Sequence, residues 1–95
     1  MKTIWKYAVP VQDEFEIEMP MGSQVLSVQT QGSVPRIWVL VNPEEKAKLT
    51  RRFRVVGTGH EIEEEHIEFI DTFQVNGGQY IFHVFEIMFP YDDEL

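Results

Sequence analysis

The sequence predicts a mainly β, single-domain fold: an antiparallel sandwich or partly open barrel of about six to seven strands with one short helix. Three observations carry this prediction. Apolar and polar residues alternate with period two along most of the chain. Clusters of Pro, Gly, Asn, Asp and Ser interrupt that pattern roughly every eight to twelve residues. Only one stretch has the chemistry of a helix start. At 95 residues the chain is one domain, and its 43% hydrophobic and 13% aromatic content suits a folded core and not a disordered tail.

Residues 2–9 (KTIWKYAV) open the pattern, with Trp5, Tyr7 and Val9 on one face and Ile4, Lys6 and Ala8 on the other. A turn at residues 10–13 follows, because Pro10 cannot donate to a ladder. Residues 14–19 alternate most cleanly. Phe15, Ile17 and Met19 point to a core, and Glu14, Glu16 and Glu18 form a row that reads as a solvated face, or else as a grip for a cation or basic partner. Pro20 to Ser23 breaks the chain again, residues 24–30 make a third strand, and Gln31-Gly32-Ser33 turns into a fourth. That fourth strand, residues 36–41 (RIWVLV), is apolar on both faces and therefore central in its sheet.

The short helix is expected from Asn42. Asn42 would cap it, Pro43 would take the first helical position, and Glu45 would close a capping box, giving one or two turns before β pattern resumes. Residues 50–56 are the fifth strand, with Phe53 and Val55 on one face and Arg52, Arg54 and Val56 on the other. Gly57-Thr58-Gly59 ends it, and residues 61–66 (EIEEEH) form a charged loop or single helical turn. Residues 67–75 and 79–88 make a closing hairpin around Asn76-Gly77-Gly78, whose second arm is apolar on both faces and so central. The domain then spans residues 1–88, with an acidic tail at 89–95.

Charge is unevenly placed. The net charge is −8, yet all eight Lys and Arg lie before residue 55, and the ten acidic groups after it have no basic neighbour in sequence. Direct binding to duplex nucleic acid is not expected of such a chain, because phosphate neutralisation supplies most of that affinity. The longest apolar run, residues 37–41, is too short to cross a bilayer, and no signal-peptide core follows Met1, so neither membrane insertion nor export is expected. There is no cysteine, which removes disulfides and thiolate ligands and fits a reducing compartment.

The candidate ligand-binding patch is Arg52, Arg54, Gly57, Thr58, Gly59 and His60. Arg52 and Arg54 share a strand face about 7 Å apart and could grip an anion, while the glycines could turn successive amides toward it as a nest. The competing reading pairs these arginines with the glutamate rows. His60, His66 and His83 match no zinc spacing, so no metal is expected, and His83 reads as a satisfied inter-strand histidine. No cofactor motif is present. An exposed strand edge is a further route to function, through a homo-oligomer or a captured partner strand, with Trp5, Tyr7 or Trp38 as anchors.

Several segments together resemble a family of short uncharacterised bacteriophage and prophage proteins. They are Lys2 to Tyr7, Pro10 to Asp13, Glu18-Met19-Pro20, Leu26 to Gln29, Arg51 to Arg54 with Gly57 to His60, and Gly77-Gly78 through Phe82 to Glu86. The resemblance implies a viral accessory protein in the cytoplasm of a bacterial host, but no activity. The expected function is thus a non-enzymatic phage accessory protein that binds a host protein or a small anionic or nucleotide ligand, in a counter-defence role. Two alternatives are an acidic decoy imitating nucleic acid and a small hydrolase using His60.

Overall fold

A computed structural model describes residues 1–10 and 12–88. The expected acidic tail at 89–95 lies outside them, as does Val11 of the first turn. Seven strands form two antiparallel sheets: β1 (Thr3–Ala8), β2 (Glu14–Pro20), β3 (Gln24–Gln31), β4 (Val34–Val41), β5 (Lys48–Gly57), β6 (Ile67–Val75) and β7 (Tyr80–Ile87). One sheet has the order β1-β4-β3 and the other β2-β5-β7-β6. The fold is the sandwich, and β4 and β7 occupy interior positions, as their two-sided apolar sequences require.

Period-two alternation explains the core. Val28, Ile37, Val39 and Val41 of the smaller sheet meet Phe15, Ile17, Met19, Phe53, Phe73 and Val84 of the larger one. Phe15 and Phe53 are cross-strand partners whose rings stack at 5.1 Å. Each sheet also has a β-bulge on an edge strand, at Val25/Ser27 in β3 and at Phe69/Asp71 in β6. Asp71 reaches across to the other sheet, accepting from the Val28 amide at 3.0 Å and the Gln29 side chain at 3.2 Å. It thereby ties the β3 and β6 edges together.

The expected helix at 42–49 is corrected: the segment is a turn. Glu45 N–H donates to the Asn42 carbonyl at 3.0 Å, and Asn42 Oδ1 accepts from the Glu44 amide at 3.1 Å. The Glu45 carboxylate does not reach back to close a capping box; it accepts from the Ala47 amide. Ala47 in turn accepts from Met21 N–H, and β5 starts at Lys48. So few residues cannot recover the cost of nucleating a helix when the chain is already committed to a strand. The only helical element among the described residues is a single 3-10 turn at Asn76–Gly78 in the closing hairpin. Asn76, Gly77 and Gly78 all have positive φ, which explains this sequence of residues at the turn.

Candidate functional site

Strand β5 divides its charges by parity. Arg51 lies on the inner face with Phe53 and Val55, and Arg52 and Arg54 lie on the outer face. The outer pair is neutralised within the fold. Arg52 donates to Glu14 through Nη2 at 2.7 Å and Nε at 3.0 Å. Arg54 donates to both carboxylate oxygens of Glu64, lies 3.6 Å from Glu14, and reaches the Asp13 carbonyl at 3.3 Å. The first of the glutamate row and the acidic loop thus supply the counter-charges.

The Arg54 hydrogen bond holds the Glu64 carboxyl below its ordinary value of 4.5, against the opposing effect of burial. A depressed native pKa makes this pair stabilising above the unfolded carboxylate range, with the contribution lost as pH falls below 4.5 through the folded value. Arg54→Met should therefore flatten the acid limb of the stability profile, measured as urea midpoints between pH 3 and 6, values chosen as roughly bracketing a carboxylate. An unchanged acid limb would contradict the pairing.

Gly57 to His60 is a closed turn. The His60 amide donates to the Gly57 carbonyl at 3.1 Å, and Gly59, at φ +90°, takes the position where such a turn needs glycine. The His60 amide is therefore committed within the turn. The His60 imidazole lies against Gly57, where an added Cβ would sit 3.2 Å from Cε1 and Nδ1. Thr58 Oγ1 lies 2.7 Å from His83 Nε2, and Thr72 Oγ1 lies 2.9 Å from His83 Nδ1. His83 is thus held on both ring nitrogens, joining β7 to β6 and to the turn after β5.

The structure gathers these six residues only in part. Gly57 and His60 border a cleft of about 500 Å³ at the end of the sandwich where β5 and β6 finish and β7 begins. Its walls are Val55, Phe73, Val75, Tyr80 and Phe82 from the larger sheet, and Pro10, Ser33 and Pro35 from the loops opposite. Gln12, Asp13 and His60 add polar groups, and among the described residues no Lys or Arg lines it. The Phe73 and Phe82 rings, 5.6 Å apart, form an aromatic wall. Arg54 and His60 also border a smaller cleft of about 140 Å³, but they share it with Asp13, Glu61, Glu63 and Glu64. Carboxylates on this scale oppose an anion.

Two features escaped the sequence reading. The aromatic wall depends on the order β5-β7-β6, which no local pattern gives. The second is the inner-face ion pair. Arg51 donates bidentately to Glu86 at 2.7 and 2.8 Å and donates from Nη1 to the Ser23 carbonyl at 2.6 Å. Their side chains are only 16% and 9% exposed. The Glu86 hydrogen bond holds the Arg51 proton more tightly, outweighing burial. Parity was the available signal: Arg51 falls in phase with Phe53, and Glu86 with Val84.

Among the described residues no three His, Asp or Glu side chains converge as a metal site, and no helix is long and apolar enough to cross a membrane. The chain belongs to the family described as a domain of unknown function, DUF7352, which matches residues 1–91. No curated protein and no solved structure matches it.

Proposed function

We propose that this DUF7352 chain is a non-enzymatic binding module whose end cleft takes a neutral or cationic ring, from a small molecule or from an exposed side chain of a partner protein. The cleft supports this reading. It has the size of a small-molecule site and is mostly apolar, with a few polar groups at its margin. Asp13 suits a cationic substituent, and the anion-binding version is weakened by the internal partners of Arg52 and Arg54. The sequence resemblance to short bacteriophage and prophage proteins alone supports the setting, which would make the partner a host protein in the bacterial cytoplasm.

Indole, tryptamine and indole-3-acetate present one ring in three charge states. Thermal shift should detect indole and tryptamine, with dissociation constants on the order of 1 mM for so few atoms, and weaker binding of the carboxylate. Val75→Trp, which fills the cleft, should abolish these shifts, and Arg52→Ala/Arg54→Ala should retain them. Binding of indole-3-acetate alone, lost in the arginine variant, would return the site to the basic patch. No shift with any of the three would remove the cleft reading.

A further inference from the structure

The four sheet edges are not treated alike. β3 and β6 are bulged and tied by Asp71, and β2 carries Glu14, Glu16 and Glu18 and ends at Pro20. Such bulges, charges and prolines are the devices that keep edges from pairing with another chain. β1 has no bulge or proline across Thr3–Ala8, Lys6 is its one charged residue, and among the described residues β4 is its only neighbour in the sheet. It also exposes large apolar side chains, Ile4 at 54% and Trp5 at 37%. We infer that β1 is a dimerisation edge, pairing antiparallel with β1 of a second copy and centred on Trp5.

Charge and register both point to a second copy. Two chains of net charge −8 repel, but residues 1–12 carry Lys2 and Lys6 and no acid, so this edge is where that repulsion is weakest. Trp5 and Tyr7 lie on the inner face, opposite Val39 and Ile37 of β4, while Ile4 and Lys6 lie on the outer face, opposite Leu40 and Trp38. A two-fold axis perpendicular to the sheet keeps each face continuous, so inner residues meet inner ones and outer meet outer. Centring on Trp5 sets the two Trp5 rings side by side, Thr3 against Tyr7, and Ile4 against Lys6. Centring on Ile4 would oppose Lys2 to Lys6, and centring on Lys6 would oppose the two Lys6 chains. Of these three registers only the Trp5-centred one avoids facing lysines, and it covers the exposed part of Trp5.

The test uses two substitutions of equal polarity at one exposed position. Sedimentation velocity of the wild type should show a concentration-dependent shift from one chain of 11.2 kDa toward twice that mass. Ile4→Lys puts like charges opposite each other twice per dimer and should raise the dissociation constant about tenfold or more. Ile4→Glu faces Lys6 of the second copy and should leave the constant within about threefold, or tighten it. Both side chains point outward, and a cooperative melt of each variant confirms an intact fold. A wild type that remains a single chain up to about 1 mM, the weak end of specific association, would overturn the inference. So would equal effects of the two substitutions.

Discussion

Arg51→Ala is expected to lower the unfolding free energy by about 3–5 kcal/mol, the usual cost of removing one member of a buried ion pair. The loss comes from what remains and not from the pair's own strength. Glu86 would stay buried without its bidentate partner, the Ser23 carbonyl would lose a donor, and Glu68, its cross-strand neighbour, would add a like charge. Replacing both members, as Arg51→Met/Glu86→Leu, removes the stranded charge and should return stability to within about 1 kcal/mol of wild type, or above it. Denaturant midpoints with unchanged slopes measure both effects. A double variant as unstable as Arg51→Ala would show that the pair is not what the site depends on.

Phe53→Ala is expected to cost about 3–5 kcal/mol by leaving a cavity in the core. Phe53 is fully buried, stacks on Phe15, and pairs across to Glu86, so it joins the β2 edge to the interior strand β7. Ring deletion at this position cannot be relieved by a small shift, because strands hold it on both sides. Equilibrium unfolding measures the loss directly, and a cost below about 1 kcal/mol would place the core elsewhere.

Parity was legible from the sequence because each face of a strand has one environment. Phe15, Ile17 and Met19 fall on the apolar phase of their strand and are buried, and the Asn76-Gly77-Gly78 turn and the interior places of β4 and β7 follow from pattern alone. The helix at 42–49 failed because Asn, Pro and Glu at a helix start are equally at home in a turn; the length of chain before the next strand decides between them. The site was less legible. Glu14 could be named as a rival partner for Arg52 and Arg54, but Glu64 comes from a loop whose path no periodicity describes. The aromatic cleft needs Val55, Phe73, Val75 and Phe82 to meet, and only the strand order brings them together.

The proposed function requires that this cleft, and not the arginine face of β5, receive the ligand. Backbone amide chemical shifts during an indole titration locate the site on the protein itself. The cleft predicts that the largest changes fall at Val55, Gly57, Val75, Tyr80 and Phe82, with Arg52 and Glu14 unmoved. Changes concentrated at Arg52, Arg54 and Glu64, with the cleft residues silent, would contradict it.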